Sequence, residues 1–193
     1  MSRKTKRQKL KMMVEKSIMR DEEKQRIRWS ATTSAKEVLI ILESSLCGLD
    51  EDQIRKNRET YGKNQIIEEP QKSIFQRISN MINRPTCNVV RNNKKPINIP
   101  SKDLVVGDIV NLVEGDNVPA DVRLIESNKL VVDQGRFTGK NNPVKKNSGI
   151  CIGNLDKVTD YFNIVLMGSS VLSGSAKGVV LSVGDHTILE TMK

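Results

Sequence analysis

Asp103-Leu104-Val105-Val106-Gly107-Asp108-Ile109-Val110-Asn111-Leu112-Val113-Glu114-Gly115-Asp116-Asn117-Val118-Pro119-Ala120-Asp121-Val122-Arg123-Leu124-Ile125 is the stretch whose reading decides the fold. Gly107-Asp108 and Gly115-Asp116 are turn dipeptides, because Gly tolerates positive φ and Asp can bond its own backbone amides. Pro119 then fixes the chain ahead of the next apolar run. The runs between these turns, 109–113 and 122–125, are too short for helices and rich in Val and Ile, so they read as strands. The same texture extends both ways, with strands expected at 87–91, 97–99, 130–133, 164–166, 170–172 and 176–183. Many short strands with frequent turns predict an α+β, mainly β fold, a sandwich or barrel rather than an α/β sheet.

Upstream the pattern changes to helix. Ser34 followed by Glu37 forms a capping box before Val38, Leu39, Ile41, Leu42 and Leu46, with Gly48 placed as the stop. Asp50 and Gln53 repeat the device ahead of Ile54 and Tyr61, and Gly62 ends the second helix. Residues 63–85 form a connector in which Pro70 breaks the chain, and Ile74, Phe75, Ile78 and Ile82 give 73–82 an amphipathic pattern before Pro85. Three segments follow: 1–33, a basic flexible or helical tail; 34–85, helices and connector; 86–193, the β-rich domain. Residues 147–160, with Gly149, Gly153 and Asp156, read as a polar surface excursion.

Composition narrows the chemistry. Of the formal net charge of +9, residues 1–28 contribute seven units, through eleven basic and four acidic side chains. The basic character therefore belongs to the tail, read first as a solvated arm and alternatively as a contact for anionic lipid or nucleic acid. With only Trp29 as an aromatic, the tail lacks the interleaved stacking residues of single-strand binders. Cys47, Cys87 and Cys151 are odd in number and widely spaced, which indicates neither a disulfide framework nor a metal site. His186 stands alone and reads as a surface or capping residue. The longest apolar run, Val38–Leu42, is far below the ~20 residues of a membrane helix, and no secretory signal is present.

Three blocks resemble the actuator domain of P-type cation-transporting ATPases in order and spacing. They are Asp103 to Val110, then Gly115-Asp116 to Ile125 with its Pro-Ala-Asp, then Thr138-Gly139 with Pro143-Val144 and Lys146. Met167 to Ala176 looks like the return strands of that domain. Gly48-Leu49, Arg58, Tyr61-Gly62 and Asn64 look like the helical segment that precedes the first membrane helix of these pumps. The return sequence and the long basic N-terminus are most similar to bacterial magnesium-transporting members, with a calcium-pump-like member as runner-up. The resemblance implies a distorted jelly roll carrying N-terminal helices.

It also implies a role. In the family the loop reads Thr-Gly-Glu-Ser, and its glutamate activates the water that hydrolyses an aspartyl-phosphate on a neighbouring domain, as a general base. The corresponding residues here are Thr138, Gly139, Lys140 and Asn141, so a cation with three donors and no acceptor stands where the carboxylate is expected. Read without the family, Thr138 to Asn142 is a polar turn with Lys140 in solvent. Asp108 and Asp121 are read as turn formers bonding local amides rather than as metal ligands. The resemblance gives this chain no cofactor and no metal of its own. ATP and Mg2+ belong to the parent pump, whose phosphorylation and nucleotide domains and membrane helices would be the partners, on the cytoplasmic side of the plasma (inner) membrane. The family's first two membrane helices are not found in the connector, so the chain is expected to be a soluble cytoplasmic fragment with no autonomous activity. Its runner-up role is a non-catalytic module binding anionic membrane lipid, or nucleic acid, through the basic arm of residues 1–28.

Overall fold

The computed structural model describes residues 21–65, 86–140, 143–153 and 156–192. Residues 21–32 form helix α1, followed by α2 (Ala35–Ile41) and α3 (Glu51–Tyr61). Seven strands follow: β1 (Cys87–Val90), β2 (Ile97–Ile99), β3 (Ile109–Val113), β4 (Asp121–Asp133), β5 (Pro143–Lys145), β6 (Ile164–Val165) and β7 (Ser170–Ser182). Two single-turn helices, α4 (Gly135–Thr138) and α5 (Ile188–Thr191), complete the elements that matter below.

All strand pairs are antiparallel, in the order β2-β1-β3-β7-β4-β5, with β6 also on β4. The expected α+β, mainly β class therefore holds. Four of the expected strands merge: 122–125 and 130–133 are one strand of 13 residues, and so are 170–172 and 176–183. The merger escapes a periodicity reading because the long pair is interrupted by register shifts, including one between Asn128 and Val131. There Gly174 sits opposite at φ 78°, and a Cβ on it would lie 2.4 Å from the Lys129 carbonyl oxygen. Only a residue without a side chain permits that approach.

The sheet buries apolar side chains on both faces, as period 2 requires. Val110, Leu112, Val122, Leu124 and Val180 belong to one cluster. Ile109, Val179 and Leu181, their neighbours along the same strands, join Ile164 and Leu166 in a second, against Ile27 and Ala31 of α1 and Val38 of α2. α1 is amphipathic, with Ile27 and Ala31 fully buried and Lys24 and Arg28 outside. The described end of the segment expected as a solvated arm is thus packed into the body.

Both capping boxes are formed: Glu37 N–H donates to Ser34 Oγ at 3.3 Å, and Gln53 N–H to Asp50 Oδ1 at 2.8 Å. Gly62 ends α3 as expected. Gly48 does not end α2, which stops at Ile41 as Glu43 turns to φ 50°. Leu46 then lies half exposed, and Gly48 serves a close crossing, where a Cβ would stand 1.9 Å from the Val90 carbonyl oxygen. The amphipathic stretch at 73–82 falls outside the described residues. The excursion at 147–160 is not wholly superficial, because Cys151 is buried beside Asn163.

Candidate functional site

The Thr-Gly loop is the tip of the hairpin joining β4 to β5, whose pairing begins at Asp133 opposite Pro143. Its form follows from its residues. Asp133 Oδ1 accepts the Gly135 N–H at 2.8 Å, an Asx turn that starts α4. The N–H groups of Phe137 and Gly139 close on the carbonyls of Gln134 and Gly135. Gly139 ends the turn in the left-handed region at φ 70°, where glycine carries no Cβ penalty. Thr138 Oγ1 lies 2.9 Å from the Lys140 carbonyl and 3.3 Å from that of Gln134, so its hydroxyl proton stays within the loop.

The base of this loop is anchored and its tip is not. Gln134 is buried, and with its amide oriented to match its neighbours, Nε2 donates to the Thr159 carbonyl at 3.2 Å and Oε1 accepts from Lys146 Nζ at 3.1 Å. Lys146 Nζ also donates to the Tyr161 carbonyl at 2.8 Å, and burial lowers its pKa to about 8. Phe137 packs on Met167 and Leu189. Thr138, Gly139 and Lys140 are exposed. Asn141 lies outside the described residues. The chain therefore presents three of the four expected site residues to solvent on a firmly held stem. A protonated lysine on such a tip can attract an anion but cannot accept a proton from water.

The two aspartates do different work. Asp108 accepts the local Val105 N–H at 2.9 Å, as expected, and also receives Arg91 in a bidentate pair at 2.7 and 2.6 Å. Asp121 is not a local turn former. Fully buried, it accepts the N–H of Met167 at 2.8 Å and of Ile188 at 2.7 Å, so it caps α5 from across the domain. Burial raises its pKa to about 7 against the pull of those two bonds. Among the described residues no three His, Cys, Asp or Glu side chains gather as a metal group.

Sequence reasoning missed Arg123. This fully buried guanidinium has no carboxylate partner in its hydrogen bonds and is held by backbone carbonyls: Ser30 at 2.8 Å, Thr33 at 3.1 Å, Ser148 at 3.2 Å and Gly149 at 3.3 Å, with Leu124 beside them. Asn163 Nδ2 donates to Ala31 and Gly149, and Cys151 N–H to Ala31. Together they receive the carbonyls at the C-terminal end of α1. Burial lowers the pKa of Arg123 to about 10. The one available signal was an arginine between Val122 and Leu124 in an apolar strand. Asn64, also buried, donates to the Ser101 and Pro119 carbonyls at 2.9 Å each and accepts from Gly184 N–H.

The described residues thus form a mainly β domain in which a braced stem carries an exposed Thr-Gly tip. The family model for the P-type ATPase actuator domain matches residues 81–193, and that for the cation transporter/ATPase N-terminus matches residues 30–89. The chain belongs to the P-type ATPase actuator-domain family. Calcium-transporting ATPase 1 of Schizosaccharomyces pombe is 42% identical over 101 residues, which cover 52% of this chain and 11% of that protein. Calcium-transporting ATPase 1 of Lactococcus lactis is 41% identical over 103 residues, 53% of this chain and 12% of that one. The potassium-transporting ATPase alpha chain 2 of Oryctolagus cuniculus is 38% identical over 101 residues, 52% and 9%. The chain thus spans about a tenth of the length of these curated relatives. A zinc-transporting PIB-type ATPase in its E2.Pi state aligns with a TM-score of 0.44 at 20% identity, over 58% of this chain and 17% of that one. No helix among the described residues is long and apolar enough to cross a membrane.

Proposed function

We propose that the chain is the actuator part of an ATP-driven cation pump, whose rigid movement couples aspartyl-phosphate hydrolysis to the membrane helices of its parent. The observation that carries this reading is the braced stem under an exposed Thr138-Gly139 tip, in a chain of the actuator-domain family. ATP and Mg2+ would act on the parent's other domains, and this part would lie on the cytoplasmic side of its membrane. For the ion, the magnesium expectation finds no support in the relatives named above. Two of those are calcium transporters by name, which favours the calcium-pump-like alternative.

Lys140 gives the reading its sharp edge. A pump carrying Lys at this place forms the phosphoenzyme and loses it slowly, because no carboxylate positions the attacking water. The test grafts residues 134–146 into a full-length calcium-transporting relative, with Lys140 or with Lys140→Glu, and follows phosphoenzyme decay. Slow decay with Lys and fast decay with Glu is the expected result. Equal decay in the two grafts would overturn the proposed role of this position.

A further inference from the structure

The described part of α1 is fastened to the β-domain at two places, and the two fastenings differ in kind. Its C-terminal end is held by Arg123, Asn163 and the Cys151 N–H, as described above. Two to three turns earlier it is held by Glu23, which is only 3% exposed. Glu23 Oε2 accepts the Ser182 hydroxyl at 3.0 Å, and Oε1 lies 3.2 Å from His186 Nδ1.

The mounting of His186 makes that contact consequential. The 3-10 turn Gly184–His186 follows β7 directly, and Asn64 accepts the Gly184 N–H at 2.9 Å. A Cβ on Gly184 would stand 2.7 Å from both the Lys63 and the Gln65 carbonyl oxygens, so the turn is wedged against the end of the α3 segment. α5 begins two residues past His186, with Asp121 on its first amide. A change in the pull between Glu23 and His186 is therefore taken up by α1 rather than by the turn.

We propose that Glu23 and His186 form a proton-operated latch, in which protonated His186 holds residues 23–27 of α1 on the β-domain and neutral His186 loosens them. The charged groups around the imidazole are Glu23 and Arg26 from α1 and Asp185 on its own turn. Arg26 lies 3.5 Å from Glu23 and stacks 5.5 Å over the Tyr61 ring of α3, while Asp121 of β4 interacts with Glu23 from below. The hydrogen bond with Glu23 raises the pKa of His186 above its ordinary 6.5, against partial burial and the Arg26 charge. A raised histidine stabilises the docked helix fully below 6.5, and that contribution is lost as pH rises through the higher folded value. When the imidazole is neutral, Glu23 keeps the Ser182 hydroxyl and Arg26 at 3.5 Å but loses the nearer of its two counter-charges, in a site nearly closed to water. Removing a counter-charge from a buried carboxylate is costly, and residues 23–27 are then held by the Ser182 hydroxyl, the Arg26 bond to the Leu181 carbonyl and the packing of Ile27 without the His186 charge.

The test uses the whole chain, in which His186 is the only histidine and its imidazole resonances are therefore unambiguous. Amide-exchange protection of α1, corrected for the intrinsic rate, is measured relative to the centre of β7 across the titration of His186. The expected result is a several-fold loss of relative protection at residues 23–27 as pH rises, midway at the pH where the imidazole titrates. His186→Asn should be weakly protected at every pH, and His186→Arg should keep protection at high pH. Glu23→Gln should return the imidazole titration towards its ordinary value; if that variant does not fold, the two position-186 variants decide alone. Protection of α1 that is independent of pH in the natural sequence, or that falls equally in His186→Asn, would overturn the latch.

Discussion

Arg123 and Lys140 are both cations in segments of the same hairpin, and they could hardly be placed more differently. Arg123 near the start of β4 is fully buried, with donors on carbonyls from α1, the turn after it and the 148–149 turn. Lys140 at the far end stands exposed, and it is its backbone that bonds to Thr138. The first region spends its charge on architecture, and the second keeps its charge for whatever approaches. A family resemblance is carried by both, and the departure that the resemblance implies falls only in the second. The difference teaches that one cation is bound into the architecture of this domain while the other is left free of it.

The strongest way to test that separation is to remove the buried cation. Arg123→Met should destabilise the chain by about 3 kcal/mol or more, because several buried carbonyls lose their donor at once. Arg123→Lys should recover little, since one ammonium cannot reach acceptors spread around a planar guanidinium. Urea denaturation checks both, and a loss under 1 kcal/mol would mean the socket is incidental. Next comes Gly174→Ala, where positive φ and a carbonyl 2.4 Å from the new Cβ force the β4–β7 register to yield. We expect a loss on the order of 2 kcal/mol, with line broadening confined to 127–131 and 173–176 in amide spectra.

These two positions also mark how far the sequence could be read. Turn dipeptides, capping boxes and short apolar runs are local, so both helix starts and most strand centres were legible. What was not legible depends on contacts far along the chain. Nothing near Asp121 announces Met167 or Ile188, and nothing near Gly48 announces Val90. Strand mergers were hidden by bulges, whose partners lie some fifty residues away in β7. The loop was more legible than its support: Thr138, Gly139 and Lys140 lie together on one exposed tip, as a polar turn should, while the buried Gln134 and Lys146 beneath them carried no readable signal of their pairing.

Asp121 offers a subtler test through pH. Its folded pKa of about 7 lies above the ordinary 3.8, so between those values the folded chain holds a proton that the unfolded chain has released. Stability from this group is therefore greatest at low pH and is lost as pH rises towards 7. Asp121→Asn removes that titration and replaces one acceptor oxygen with a donor amide facing a backbone N–H. It should cost ~1–2 kcal/mol in acid. The difference from the natural chain should narrow as pH rises from 3.8 towards 7, in melting curves recorded across the range. A gap that widens instead would show that the two N–H bonds outweigh burial and keep the carboxylate charged.

The smallest effect is the most telling one. Lys140→Glu changes the charge at the proposed working position by two units, yet the side chain is exposed and the loop's hydrogen bonds run through Asp133, Gln134, Thr138 and the backbone. The stability of this chain should therefore move by less than ~0.5 kcal/mol, as for other surface substitutions. Phosphoenzyme decay in the grafted pump should change strongly with the same substitution. A large stability change would place Lys140 among the structural cations with Arg123, and the comparison between the two regions would collapse. A silent Lys140→Glu in the isolated chain, paired with faster decay in the graft, would show a position that the fold leaves free and the reaction does not.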